Sequence, residues 1–118
     1  MPYLLLIHEP VGQRLTRTEA EGRAVYERMV QFGRELKERG QLLATESLAS
    51  QDDAARVRVG PGRVQVVDGP FAEAKEMVGG FFLVDCKNRQ EAIALAERCP
   101  AAEWATVEVR ATGPCFEP

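Results

Sequence analysis

Side chains able to transfer protons are concentrated in residues 68–77 of this 118-residue chain. The segment joins Asp68, a Gly-Pro turn and the aromatic Phe71 to a group of charged residues. Asp68 is the first candidate for a catalytic base, because a carboxylate partly buried at a strand end is suited to proton transfer. The alternative is structural, since aspartate often caps a turn by accepting from nearby backbone N–H groups.

The charged residues of the same segment suggest the rim of a substrate pocket. Lys75 could attract an anionic substrate, and Glu73 or Glu76 could act as a base beside it. Phe71 is expected to anchor the segment in the core and to border the same pocket. The alternative for the three charged residues is a solvated short helix, because most exposed charges are simply hydrated.

Two further candidates lie in the first quarter of the chain. His8 is the only histidine, and imidazole ordinarily changes charge near neutral pH. At a strand end His8 could face a cleft and meet Asp68 there, or it could be a surface or interface residue with one hydrogen bond. Tyr26 could donate a proton into a pocket from a helix, or it could pack in the core with its hydroxyl bonded.

Neither a metal site nor a cofactor is expected. The three cysteines, Cys86, Cys99 and Cys115, lack C-x-x-C spacing and a histidine cluster, so a zinc site or a disulfide framework is not indicated. The Gly-Pro-Gly step at residues 60–62 lacks the lysine and the spacing of a phosphate loop, and no dinucleotide fingerprint is present. Free thiols suit a reducing cytosol.

Size and charge narrow the class of protein. The length suits a single domain spanning residues 1–118. A net charge of −3 argues against nucleic acid as the main partner. The apolar run at residues 3–7 is too short for a signal or membrane segment, so we expect a cytoplasmic protein with no membrane partner.

Hydrophobic periodicity predicts an α+β chain in which strands and helices alternate. Val25, Met29, Phe32 and Leu36 form one helical stripe, and alternating valines flank a Gly/Pro turn as in a β-hairpin. Strands are predicted over residues 3–8, 41–48, 81–86 and 104–110, with hairpin strands over 56–59 and 64–67, and Gly79-Gly80 opens the strand at 81–86. The first predicted helix is capped at Thr16 or Thr18 and ended by Gly40. The second is capped at Asn88 and stops by Cys99.

Without the hairpin this order is β-α-β-β-α-β, the ferredoxin-like pattern, with an antiparallel sheet and both helices on one face. The strands at 3–8 and 81–84 are apolar on both faces, so the second face would expose a patch larger than monomers tolerate. Burying it would contribute about 25 cal/mol per Å². We therefore predict a homodimer packed sheet to sheet. The alternative is that the hairpin and the C-terminal tail cover this face.

The sequence Asp-Gly-Pro-Phe-Ala-Glu at 68–73, with Lys75-Glu76 and then Gly-Gly-Phe-Phe at 79–82, resembles the DGPF branch of the YCII-related proteins. Weaker similarities extend the resemblance over about residues 1–111. It implies a ferredoxin-like fold assembled as a dimeric α/β barrel, as in small cofactor-free isomerases, lyases and monooxygenases. It also implies an extracytoplasmic-function sigma factor as a candidate partner. A His-Asp pair suspected in the wider family has its histidine on the first helix; this chain has none there, and Tyr26 lies near that place.

Two functions fit these observations. The first is a small cofactor-independent enzyme that isomerises or eliminates by proton transfer on a small organic molecule, with Asp68 or His8 as the base and Tyr26 or Lys75 assisting with charge. The second is a non-catalytic module that binds a metabolite or a regulatory partner in the same cleft. A catalytic base facing the pocket beside a second polar group would favour the enzyme.

Overall fold

The chain, described for residues 2–118 by a computed structural model, is built around a four-stranded antiparallel sheet. Two strands of this sheet alternate buried and partly exposed residues along their length. In chain order the elements are β1 (Pro2–Pro10), α1 (Glu19–Glu38), β2 (Leu42–Ser47), β3 (Ala55–Gly60), β4 (Arg63–Asp68), β5 (Glu76–Asp85), α2 (Arg89–Arg98) and β6 (Thr106–Ala111).

The strand order is β2-β5-β1-β6, and β3 and β4 pair only with each other as a separate hairpin. The β-α-β-β-α-β order with an inserted hairpin is therefore confirmed, and the fold is ferredoxin-like α+β. None of the helices in residues 2–118 is long and apolar enough to cross a membrane.

Both helices pack on the same face of the sheet, which we call the helix face. Residues of β1 and β5 that point to this face share one core with α1 and α2. The buried members are Tyr3, Leu5, Ile7, Phe32, Leu36, Phe82, Val84, Cys86, Ala92, Leu95, Ala96, Cys99 and Ala101. The alternate residues of β1 and β5, among them Leu6, His8 and Phe81, point to the opposite side, the open face, and are only partly buried.

The helix ends follow the capping chemistry that the sequence predicts. Thr18 caps α1 through a complete capping box with Glu21, so Thr18 rather than Thr16 is the cap. Asn88 caps α2 by accepting from the backbone N–H of Glu91. Gly40 follows α1 with φ 71°, a left-handed conformation that favours glycine at a helix end.

Two predicted boundaries are wrong. Gly79 and Gly80 do not open a strand; they lie inside β5, which already begins at Glu76 because it pairs with the end of β1. The last strand begins at Thr106 instead of Trp104, because the residues that follow α2 form a short 3-10 helix, Pro100–Glu103.

Residues 69–75 form a turn between β4 and β5, and Glu76 already belongs to β5, so the solvated short helix that the charges would have allowed does not form. A side chain at Gly69 would overlap the carbonyl oxygen of Gln51, and the Gly69 N–H donates to the carbonyl of Ala54 over 2.7 Å. Phe71 is buried. The turn therefore packs the base of the hairpin against the loop that follows β2.

An ion pair between the buried Glu9 and the partly exposed Arg14 lies at the end of β1. Glu9, at 8% exposure, continues the inward alternation of Ile7 and accepts from Nε and Nη2 of Arg14 over 2.9 and 2.7 Å. This hydrogen bonding raises the pKa of Arg14, against the opposing effect of burial. A Cβ at Gly79 would overlap the Glu9 carboxylate. Gly79 is thus the residue that lets the ion pair lie against the sheet.

The hairpin projects from the body of the protein. All residues of β3 and β4 are exposed, and the radius of gyration is 16.2 Å where a compact chain of this length has about 13–14 Å. The cross-strand pairs Val57–Val66 and Val59–Val64 form one apolar face, and each of these valines is more than half exposed. The tail after β6 is exposed as well, and the open-face residues Leu4, Leu6, Phe81 and Leu83 are only partly buried.

We predict that Gly79→Ala lowers the free energy of unfolding by about 1–3 kcal/mol, because the new methyl group must displace a clamped carboxylate. Gly22→Ala is the matched control. Gly22 lies in α1, and no atom lies within 4 Å of the place that its Cβ would take, so alanine should raise stability by about 0.5–1 kcal/mol. Urea unfolding followed by circular dichroism measures both. Equal effects of the two variants would contradict this account of Gly79.

Thiol reactivity should separate the three cysteines. Cys115 is exposed, whereas Cys86 and Cys99 are buried, and burial raises the pKa of Cys99 to about 11. Because the thiolate is the reactive form, Ellman's reagent at about pH 8 should modify Cys115 quickly and the other two only in denaturant. Fast modification of Cys99 in the native protein would show that this part of the core is open.

Candidate functional site

Two cavities lie on opposite faces of the sheet. The open-face cleft, of about 520 Å³, is bordered by the loop after β2, by Phe71 and by the adjoining ends of β1 and β5. The helix-face cavity, of about 560 Å³, lies between α1 and the sheet. Both volumes fall in the range of small-molecule sites.

The open-face cleft is mostly apolar with a few polar groups around it. Leu48, Phe71, Met77 and Val78 supply the apolar surface. Its polar and charged lining residues are His8, Ser50, Gln51, Asp53, Arg56 and Glu76. Arg56 lies over the Phe71 ring, with 3.7 Å from its guanidinium carbon to the ring centroid, so the hairpin forms one wall of the cleft.

His8 meets a carboxylate at this cleft. Its Nε2 lies 2.7 Å from Oε1 of Glu108, across the β1–β6 pair, and the two side chains are 28% and 40% exposed. Arg110 Nε lies 3.5 Å from the other Glu108 oxygen. When Nε2 carries the proton and donates it to Glu108, the lone pair is on Nδ1. The carboxylate therefore orients the imidazole.

The other residues singled out in the sequence divide into three groups. Phe71 and Glu76 line the open-face cleft with His8. Asp68, Glu73 and Lys75 are exposed and line neither cavity. Tyr26 is 55% exposed on α1 and borders the helix-face cavity, so the sheet separates it from His8.

Glu108, the partner of His8, is the residue that reasoning from the sequence missed. It alternates with Val107 and Val109 in β6, which identifies it as an open-face residue. In the ferredoxin-like order the last strand also lies beside the first. A search for acidic residues on that face of the last strand could have paired it with His8, but only the register places Glu108 within reach.

The helix-face cavity differs in its charges. Arg14, Arg17, Arg34 and Lys37 border it, and its acidic lining residues are Glu9 and Glu46. Both Glu9 oxygens accept from Arg14, so this carboxylate is held as an ion pair. Among residues 2–118 no group of three or more potential metal-ligating His, Cys, Asp and Glu side chains occurs.

Comparison with known proteins agrees with this architecture. The YCII-related domain matches residues 1–114. An uncharacterized protein of Rhizobium meliloti, R00369, is 32% identical over 96 residues, which are 81% of this chain and 77% of that protein.

A solved structure is also similar in fold: 5-chloro-2-hydroxyhydroquinone dehydrochlorinase (TftG) from Burkholderia phenoliruptrix AC1100, in complex with 2,5-dihydroxybenzoquinone. Its TM-score is 0.57 at 14% identity, with 96% of this chain and 94% of that chain covered. The ferredoxin-like sheet, the turn built by residues 68–73 and the match along nearly the whole chain lead to one conclusion: this protein belongs to the YCII-related family.

Proposed function

We propose that this protein is a small cofactor-independent enzyme that moves a proton on a small organic molecule in the open-face cleft. The observation that carries the proposal is the 2.7 Å contact between His8 and Glu108 beside a cleft with apolar walls. Of the two cavities, this one contains a group able to accept a proton near neutral pH. Of the two acids that line the other cavity, Glu9 is held by Arg14, and Glu46 is exposed.

The proposed step uses His8 as a general base. Its Nδ1 lone pair takes a proton from a carbon or hydroxyl of the substrate, and the imidazolium is stabilised by Glu108. In an elimination, the electrons of the broken bond to hydrogen form a double bond, the leaving group departs with the electron pair of its bond to carbon, and the imidazolium releases its proton to water. In an isomerisation, the imidazolium returns the proton to another atom. The similar dehydrochlorinase, by its name, performs an elimination, which supports this reaction class.

A second copy of the chain completes the proposed site. The open face of β1 and β5 carries Leu4, Leu6, Phe81 and Leu83, all partly exposed. The four-valine face of the hairpin is exposed as well, and a two-stranded hairpin with an uncovered apolar face is only marginally stable. A homodimer that packs open face to open face would bury these residues and exclude water from the cleft.

His8→Gln should lower kcat by roughly 10²–10⁴-fold, the usual contribution of a general base. Chloride release from chlorinated hydroxyhydroquinones, or deuterium incorporation into small phenols and ketones followed by NMR, measures the reaction. Glu108→Gln should lower kcat less and leave KM nearly unchanged, because it acts through His8. Glu73→Gln is the control, since Glu73 lines neither cavity. Full activity of His8→Gln would exclude this mechanism.

Analytical ultracentrifugation should give twice the chain mass of 13.1 kDa. The double substitution Val59→Lys with Val64→Lys should shift the protein toward monomer, because it places charges on the apolar hairpin face. Leu15→Lys, at an 89% exposed position outside the hairpin, is the control and should not change the mass. A wild-type protein that sediments as monomer at micromolar concentration would overturn the proposed closure of the cleft.

A further inference from the structure

We propose that Arg56 is a second catalytic residue of the open-face cleft, where it binds the substrate oxygen that becomes negatively charged when His8 removes a proton. The expected substrates are therefore neutral compounds whose conjugate bases are enolates or phenolates. This role rests on the proton transfer proposed for His8. It adds a partner for the oxygen and thereby defines the class of substrate.

Arg56 reaches the cleft from strand β3 of the hairpin. Its side chain lines the open-face cleft together with His8 and Phe71. The guanidinium carbon lies 3.7 Å from the centroid of the buried Phe71 ring. Stacking of this kind occupies the flat face of a guanidinium and leaves the N–H groups at its edge available to an acceptor. The Phe71 ring thus holds a hydrogen-bond donor at the cleft.

The charge of Arg56 is not neutralised by a neighbouring acid. Arg14, Arg23 and Arg28 are each in an ion pair with a glutamate. By contrast, no ion pair of Arg56 is found among residues 2–118. In that part of the chain Arg56 is also the one Lys or Arg that lines the open-face cleft. The cleft therefore has a single permanent cation, and this cation is free to bind an oxygen.

The proposed proton transfer requires such a cation. An imidazole removes a proton from carbon when the electron pair left behind is delocalised onto an electronegative atom such as a carbonyl oxygen. As the bond to hydrogen breaks, the proton moves to Nδ1 of His8 and the electron pair is carried to the oxygen, which becomes an enolate or phenolate. The imidazolium then returns the proton to another atom, or releases it to water after the leaving group has departed with its bonding electrons. Donors already aimed at the oxygen where charge develops stabilise this step.

Two acids at the same cleft favour a substrate that is neutral before the reaction. Asp53 and Glu76 line the cleft and are exposed. With Arg56 they give its lining a formal balance of −1, so the cleft does not concentrate anions. Charge that develops on an oxygen in contact with Arg56 is still stabilised, because a charged hydrogen bond is strong whereas exposed carboxylates are screened by water and salt.

Binding of 4-nitrophenol tests the oxyanion site separately from catalysis, because the phenolate absorbs visible light and the neutral form does not. On the full-length protein, bound nitrophenol should ionise at a lower pH than free nitrophenol. Amide NMR shifts should place it near Phe71 and Val78. Arg56→Met keeps an apolar side chain on the Phe71 ring but removes the donors, so it should weaken nitrophenolate binding by about tenfold or more.

Three further variants serve as controls for nitrophenolate binding. Arg58→Met removes the same charge two positions along β3, on the same face of the hairpin, from a residue that lines neither cavity. It should bind nitrophenolate like the wild type. Arg56→Lys should restore only part of the binding, because an ammonium lacks the planar donor edge. His8→Gln should keep the Arg56-dependent binding.

Kinetics distinguish a failure of this role from a failure of the proposed reaction. Arg56→Met should lower kcat by roughly 10²–10³-fold, the usual effect of removing an oxyanion donor, and Arg58→Met should not. Nitrophenolate binding or activity that is unchanged in Arg56→Met would overturn the role of Arg56; if His8→Gln is then inactive, the proposed reaction stands. A wild-type protein that holds nitrophenolate through Arg56 but transfers no proton would overturn the reaction and leave Arg56 as an oxyanion-binding residue.

Discussion

In a four-stranded sheet with both helices on one face, those helices leave the second face uncovered. Here the open face carries leucine and phenylalanine side chains of the paired strands β1 and β5. The same strands carry His8 and Val78, which line the cleft. The residues that require a cover and the residue able to transfer a proton thus lie on one surface. If a second copy supplies the cover, folding, assembly and catalysis depend on the same buried area.

Much of the fold follows from local chemistry that a single sequence displays. The Thr18 and Asn88 caps, the helical stripe from Val25 to Leu36 and the valine hairpin all depend on residues close in the chain. The register of distant strands does not. His8 and Glu108 are 100 positions apart, and their contact depends on how β6 pairs with β1. For this reason the sequence identifies His8 as a candidate but not its partner.

Asp68 shows a different limitation: its sequence pattern is distinctive, but the pattern does not tell whether the residue is catalytic or structural. Its segment is the most distinctive part of the sequence, yet the role of that segment in the structure is largely one of packing. Gly69 lies close to the Gln51 carbonyl, and Phe71 is buried under Arg56. The residues of a motif can be strongly constrained because one backbone segment must pass close to another. Such a motif need not contain the reacting group. Composition alone does not separate the two causes, since a turn needs aspartate and glycine as much as an active site does.

The two faces of the sheet also differ in how their charged residues are held. On the open face, a histidine and a carboxylate share one contact, through Nε2 of His8. On the helix face, Arg14 engages both oxygens of Glu9, so this carboxylate is held in an ion pair. Gly79 makes this arrangement possible, because only a residue without a side chain leaves room for the pair against the sheet. A single glycine inside β5 therefore lets an ion pair lie against the helix face, while the opposite face of the same sheet carries the contact between His8 and Glu108.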